Sequence, residues 1–145
     1  MEELRTYKDF ADNSYQYFMF AYNSGQLFNE MGAMAQSVCE RYLKHLISEF
    51  SEPENSIENE EKERVLRSHN LRVLRNYLCN NMQLNLPGEL ITALNSVNGF
   101  YFSTRYPGED SLTLNQEDLD DCAEAIKRCK QFTEDSIAQF TDITD

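Results

Sequence analysis

Apolar side chains recur at three- and four-residue steps along most of this chain, and this period constrains the fold more than any other feature. The clearest stripe is formed by Leu119, Cys122, Ile126, Cys129, Thr133, Ile137 and Phe140. That spacing places them all on one face of a helix. Glycine and proline number only five and three among 145 residues, which is too few for the many turns of a β architecture. The sequence therefore predicts an all-α protein.

Five segments carry the helical period. They are Tyr7–Tyr22, Gln26–Phe50, a third helix starting near Ser68, a fourth starting near Pro87 and carrying Tyr101, and a fifth that Asn115 caps. Tyr7–Tyr22 is aromatic on nearly every side, which is typical of a central helix. The acidic stretch Glu49–Glu63 is expected to be a solvated loop, with a helical turn or two in Glu58–Arg67. Together these features predict one domain over residues 1–145, an antiparallel four-helix bundle with one additional helix.

Charge and composition exclude several classes of function. The chain has 13 basic and 25 acidic residues, a net charge of −12. A surface that coats nucleic acid needs many Lys and Arg side chains on one face, so only a narrow basic cleft at a dimer interface stays open. No apolar run approaches the roughly 20 residues of a membrane helix, and Met1–Tyr7 lacks the pattern of a signal peptide. A cytoplasmic protein is expected, and the aromatic excess of Tyr7–Tyr22 predicts a homodimer.

The cysteines do not form a metal-binding pattern. There are four of them, Cys39, Cys79, Cys122 and Cys129. No pair has the spacing of a zinc site, and His45 and His69 do not complete one. Buried free thiols that pack as small hydrophobes are favoured over a disulfide or a metal site. No metal and no cofactor is expected.

Three short stretches together form a pattern typical of a known family. The second helix carries Gln36, Glu40, Leu43 and Lys44, the third helix starts at Ser68-His69-Asn70-Leu71, and Arg105-Tyr106-Pro107 follows the fourth. In this order they resemble the Ala-x-Glu-x-x-Leu-Lys, Thr-His-Asp-Leu and Arg-Tyr-Pro elements of the HEPN family. The resemblance covers roughly Phe10 to Phe140. It implies a bundle similar to the C-terminal domain of kanamycin-type nucleotidyltransferases.

The resemblance also implies a function. HEPN proteins often dimerise, and many are encoded beside a minimal nucleotidyltransferase with which they form a toxin–antitoxin pair. A non-enzymatic binding or regulatory protein is therefore expected, with nucleotide or RNA binding as its activity. Arg105 and Tyr106 are the leading binding residues, because a loop fixed by proline can present a guanidinium and a ring together, with Lys44 and Arg72 as neighbours. The structural alternative is a loop anchored by an Arg–carboxylate pair and a buried Tyr.

An enzymatic alternative comes from HEPN ribonucleases, which use an Arg-x(4–6)-His motif. In that chemistry His acts as general base or acid, and Arg stabilises charge on the phosphate. Arg64 and His69 have this spacing, which would make the chain a metal-independent endoribonuclease. The family motif usually lies nearer to Arg105, after which this chain has no His, so no appreciable ribonuclease activity is expected. Two further alternatives are left open. In one, Ser68 caps the third helix, and His69 in its first turn packs against or hydrogen-bonds to a neighbouring helix; in the other, the chain is a helical scaffold with no nucleotide role.

Overall fold

The computed structural model describes residues 2–142, which form seven α-helices and no strand. The helices are α1 (Tyr7–Asn23), α2 (Glu30–Phe50), α3 (Ser56–Leu66), α4 (Leu71–Asn80), α5 (Gly88–Val97), α6 (Phe100–Ser103) and α7 (Gln116–Asp142). The all-α class is confirmed, whereas the expected number of helices, five, was too low by α3 and α6. No helix in this range is long and apolar enough to cross a membrane.

Helix α2 lies at the centre of the molecule, where it packs against α1, α7, α4 and α6. Most of its side chains between Met31 and Ile47 are buried. The prediction that Tyr7–Tyr22 is the central helix was wrong, because α1 buries only Ala11 and Phe18. Helix α1 covers one flank of α2 and α7, and its remaining aromatic rings are exposed or only half-buried.

Helix α7 packs along α2, and three of the four cysteines are buried in these two helices, Cys39 on α2 and Cys122 and Cys129 on α7. Asn115 Oδ1 accepts a hydrogen bond from the Asp118 backbone N–H at 2.8 Å, and Asp118 Oδ2 accepts one from Asn115 N–H at 3.0 Å. This reciprocal capping box fixes the start of the helix, as the sequence predicted. Cys39, Cys122 and Cys129 are fully buried, and burial raises the pKa of Cys122 to about 12. The Cys122 thiol therefore stays protonated, and all three cysteine side chains pack as small apolar groups, as expected.

The acidic stretch Glu49–Glu63 is helical over much of its length, which corrects the expectation of a loop. Helix α3 begins after Asn55, whose side chain accepts a hydrogen bond from the Glu58 backbone N–H at 2.9 Å. Lys62 donates to two backbone carbonyl oxygens at the end of α2. Only Val65 of α3 is buried, so the helix carries almost no apolar stripe that a sequence pattern could reveal.

The third and fourth helices of the sequence prediction have different bounds from those expected. Asn70, not Ser68, caps α4, since its side chain accepts a hydrogen bond from the Arg72 backbone N–H at 2.9 Å. His69 therefore precedes the helix. The predicted fourth helix does not run on through Tyr101, because α5 ends at Val97 and Gly99 adopts a left-handed φ of 98°. A residue with a side chain rarely adopts that conformation, and it redirects the chain into the short helix α6.

The connection from α6 to α7 lies against the start of α2. The side chain of Asn29 donates to the carbonyl oxygens of Thr104 and Leu112 at 3.1 and 2.8 Å, and it accepts from the Leu114 N–H at 2.9 Å. At Gly32, a Cβ atom would come within 2.9 Å of Thr104 Cγ2. The missing side chain of Gly32 thus allows the loop to approach α2 closely, and this approach positions Arg105 and Tyr106.

Candidate functional site

A row of three polar residues is buried on one face of α2. Gln36, Glu40 and Lys44 follow one another at four-residue steps, and only 3–6% of each residue is exposed. The four-residue spacing stacks them along the helix. Burying a polar or charged group costs free energy unless the group has a hydrogen-bond or ion-pair partner. The partners of these three side chains therefore indicate the role of the row.

Glu40 compensates the buried charge of Lys44 and also holds His69. Glu40 Oε2 lies 3.6 Å from Lys44 Nζ and 3.2 Å from His69 Nδ1. The side chains of Glu40 and Lys44 are only 7% and 8% exposed, whereas that of His69 is 66% exposed. Within the described residues, no hydrogen bond engages the second ring nitrogen of His69, Nε2. The buried carboxylate of Glu40 therefore orients the imidazole through Nδ1 and leaves Nε2 available to a ligand.

The Gln36 amide joins two loops to α2. Its Nε2 donates to the backbone carbonyl oxygen of His69 at 2.9 Å. Its Oε1 accepts from the backbone N–H groups of Gly99 and Tyr101 at 3.1 and 2.8 Å. One buried side chain thus fixes the segment before α4 and the start of α6 relative to each other.

Above this polar row lies a surface that we name the aromatic platform, formed by His69, Tyr101, Phe102, Arg105 and Tyr106. The His69 and Tyr101 rings are stacked, with centroids 6.1 Å apart and planes at 7°. The Arg105 guanidinium carbon lies 4.8 Å from the centroid of Tyr101 and 5.8 Å from that of Tyr106. Phe102 contacts the rings of Tyr101 and Tyr106 and is 61% exposed. The platform combines stacked rings with a cation, which is the chemistry that binds bases and phosphates.

Arg105 is held in place from two sides. A hydrogen bond to the Tyr101 side chain, followed by attraction to Glu30, raises the pKa of Arg105 above its usual value. The Arg105 Nε atom lies 3.6 Å from Glu30 Oε1, and the Glu30 side chain is 70% exposed. The guanidinium stays charged at any physiological pH. Because an exposed ion pair of this kind is weak, a ligand phosphate can compete with Glu30 for Arg105.

A cleft of about 350 Å³ opens between His69 and Phe102. Its remaining lining consists of small or polar residues: Gln36, Ser68, Asn70, Asn98 and Gly99. The volume is at the lower end of the range for small-molecule sites, and such sites typically combine apolar walls with a few polar groups. The cleft is suited to a flat group that stacks on a ring and is hydrogen-bonded at its edge.

The structure brings together four of the residues singled out in the sequence. Lys44, His69, Arg105 and Tyr106 belong either to the buried polar row or to the platform above it. Arg72 is exposed in the first turn of α4, next to the cleft residue Asn70. For Arg105 the loop-anchor alternative is met in part, by its ion pair with Glu30. Tyr106 is 52% exposed, so it is not the buried Tyr of that alternative.

Arg64 lies apart from this group. Its guanidinium makes two hydrogen bonds to Glu61 on α3, with distances of 2.6 and 2.9 Å. No hydrogen bond or ring contact joins Arg64 to His69 within residues 2–142. Arg105, in contrast, is connected to His69 through one ring, since the Tyr101 ring stacks on His69 and also contacts the Arg105 guanidinium.

Sequence reasoning missed Tyr101 and Phe102 as members of the site. Tyr101 continues the apolar spacing of the predicted fourth helix, and Phe102 belongs to none of the three motifs. A usable signal was nevertheless present, because Gln36, Glu40 and Lys44 interrupt the apolar residues of α2 at a constant step. A polar row on an otherwise apolar helix indicates that polar partners pack against it.

The comparisons with known proteins leave the resemblance to HEPN domains as a hypothesis, since no protein family, no curated protein and no solved structure matches this chain. The resemblance rests on three short motifs. Residues of all three motifs nevertheless lie close together in the fold. Gln36 and Glu40 hydrogen-bond to His69. The His69 ring stacks on Tyr101, whose ring also contacts the Arg105 guanidinium.

Proposed function

We propose that this chain is a HEPN-like, non-enzymatic binding protein that takes up a nucleotide or an RNA end on its aromatic platform. The observation that carries the proposal is the stack of His69, Tyr101 and Arg105 above the buried pair of Glu40 and Lys44. The proposal includes the antiparallel four-helix bundle with an added helix, and a cytoplasmic location. The role as partner of a minimal nucleotidyltransferase, in a toxin–antitoxin-like pair, follows from the family resemblance alone.

The chemistry of the platform fits a single nucleotide better than a long nucleic acid. Stacking of one base on an aromatic side chain contributes about 1–3 kcal/mol, and the exposed ring of Phe102 and the cleft beside it offer such a surface. Arg105 supplies a cation for a phosphate, and Arg72 is exposed nearby. A net charge of −12 opposes extended contact with a nucleic-acid backbone. Binding is therefore local, to a base and its adjoining phosphate.

Arg105→Ala is expected to weaken the binding of ATP or of a short single-stranded RNA at least tenfold, because a charge-assisted hydrogen bond contributes about 1.5–3 kcal/mol. Isothermal titration calorimetry with each probe measures the loss. Arg128→Ala is the matched control, since Arg128 is similarly exposed and pairs with Glu124 on its own helix. Unchanged affinity in the Arg105 variant, or no binding of either probe by the wild type, would contradict the proposal and favour the scaffold without a nucleotide role.

The endoribonuclease is the second candidate, and one observation favours it. His69 is exposed at the surface while the buried carboxylate of Glu40 holds its Nδ1, an arrangement that can orient a general base. The arginine of the sequence motif, Arg64, is engaged by Glu61 instead. Arg105 is the cation on the same platform as His69, but in that pairing the Arg-x(4–6)-His spacing is absent.

Incubation of the purified protein with total RNA is expected to give no cleavage. The test includes a His69→Ala variant and an added chelator, which inactivates contaminating metal-dependent nucleases by binding their metal ions. Cleavage by the wild type that disappears with His69→Ala would establish the ribonuclease and make His69 catalytic. Loss of that cleavage with Arg64→Ala as well would restore the sequence motif, whereas its loss with Arg105→Ala would assign the second role to the platform.

A further inference from the structure

Three aromatic side chains at the end of α1 and in the loop that follows it project into solvent. Tyr17 and Phe20 of α1 are 64% and 75% exposed, and Phe28 in the following loop is 60% exposed. They flank a cleft of about 590 Å³ whose floor includes Met31 and Met34 of α2. We call this surface the aromatic cleft. Exposed apolar surface of this extent normally marks a place where another molecule binds.

Charge favours a second copy of this chain as the occupant. The lining of the aromatic cleft contains one charged residue, Glu30, which is already paired with Arg105. Two molecules that each carry a net charge of −12 repel one another, and this repulsion is smallest where they meet through uncharged surface. A strongly basic partner would instead be drawn to the acidic stretch that spans residues 52–63. The uncharged cleft is thus suited to contact between like-charged molecules.

The exposed area is also of the right order for a symmetric dimer. With about 200 Å² for a large aromatic side chain, the exposed parts of the three rings amount to about 400 Å². A stable interface buries about 800 Å² on each partner, so the rings supply its apolar centre and the surrounding residues its rim. A two-fold axis brings the same patch of both copies together. Since Phe20 projects beside a cleft, each copy offers both a protruding ring and a recess to receive it.

We propose that the protein forms a homodimer through the aromatic cleft, with Phe20 of each copy seated against Met31 and Met34 of the other. This places the homodimer predicted from the aromatic excess of Tyr7–Tyr22 on one defined surface. The proposal does not depend on what binds at the aromatic platform. Glu30, however, belongs to both regions, because it lines the cleft and pairs with Arg105. The dimer therefore lies directly beside the platform in each subunit.

Sedimentation velocity between about 1 and 100 μM tests the proposal, a range that brackets the micromolar affinities of modest interfaces. The wild type is expected to be a dimer at the upper concentrations, and Phe20→Glu is expected to raise its dissociation constant at least tenfold. The matched control is Ile57→Glu, which introduces the same charge at a side chain that is 78% exposed on α3. This control is expected to dimerise as the wild type does.

The variants should fold normally, because Phe20 contributes little to the core, and circular dichroism checks this. If Phe20→Glu does not fold, Phe28→Ser serves as the second variant, with the same expected loss of dimer. A wild type that remains monomeric at about 100 μM, well above typical micromolar dissociation constants, would overturn the proposal. So would a dimer that folded Phe20 and Phe28 variants leave unchanged, or that Ile57→Glu weakens equally.

Discussion

Replacing Glu40 by Gln is expected to lower the free energy of unfolding by about 3–5 kcal/mol, since this removes one partner of a buried ion pair. Gln preserves the size and shape of the side chain but not its charge. The ammonium of Lys44, whose side chain is 8% exposed, then has no anion within 4 Å among the described residues. For a chain of this size, the loss corresponds to a fall in melting temperature of roughly 10–16 °C. Thermal unfolding followed by circular dichroism measures it.

Two further variants separate the loss of the ion pair from other effects of the substitution. Glu124→Gln breaks the exposed pair with Arg128 and should change stability little, since such pairs contribute at most about 1 kcal/mol. Replacing both Glu40 and Lys44 by Met should restore most of the stability, because apolar groups of similar size pack well in place of a buried pair. If Glu40→Gln were as stable as the wild type, Lys44 would not depend on Glu40.

The parts of the fold that could be predicted are those fixed by local interactions. The start of α1 at Tyr7 and the capping of α7 by Asn115 were both predicted correctly. They were predictable because apolar periodicity and capping depend on residues that are close together in the sequence. Helix α3 is longer than the helical turn or two predicted in Glu58–Arg67. Because it lies largely in solvent, its sequence carries almost no apolar stripe that could indicate its length. Its start was nevertheless marked by Asn55, a good capping residue. The break at Gly99 was missed because Tyr101 keeps the spacing of the apolar stripe that ends at Val97, although glycine permits the chain to turn there.

The residues of the site were easier to find than their arrangement. Lys44, His69 and Arg105 lie in motifs that the sequence displays, but their convergence depends on which face of α2 meets α6. That facing is set by long-range contacts such as those of Gln36. Arg64 shows the opposite case. Its five-residue separation from His69 suggested proximity, but α3 ends between them at Leu66, and the chain changes direction there.

The buried amide of Gln36 is the long-range contact on which the arrangement of the platform depends most directly. It is 3% exposed and bonds to backbone groups of His69, Gly99 and Tyr101. A hydrogen bond left unmade at a buried group costs about 1–3 kcal/mol. Because Gly99 is exposed and Tyr101 is half-buried, water can accept some of the hydrogen bonds that their N–H groups donate to Gln36. The His69 carbonyl would lose the donor that joins it to α2.

Gln36→Met is therefore expected to cost about 2–3 kcal/mol of stability and to loosen the platform, although Met is similar in length and has the same apolar stem. Hydrogen exchange measured by NMR should show faster exchange of the Tyr101 amide in particular, because its acceptor is lost. Gln131→Met is the matched control, since Gln131 bonds only to Asp135 on the exposed face of α7, and it should alter neither quantity. If Gln36→Met left the Tyr101 amide as protected as in the wild type, packing and not this amide would hold α6 in place, and the positions of Tyr101 and Arg105 would not depend on Gln36.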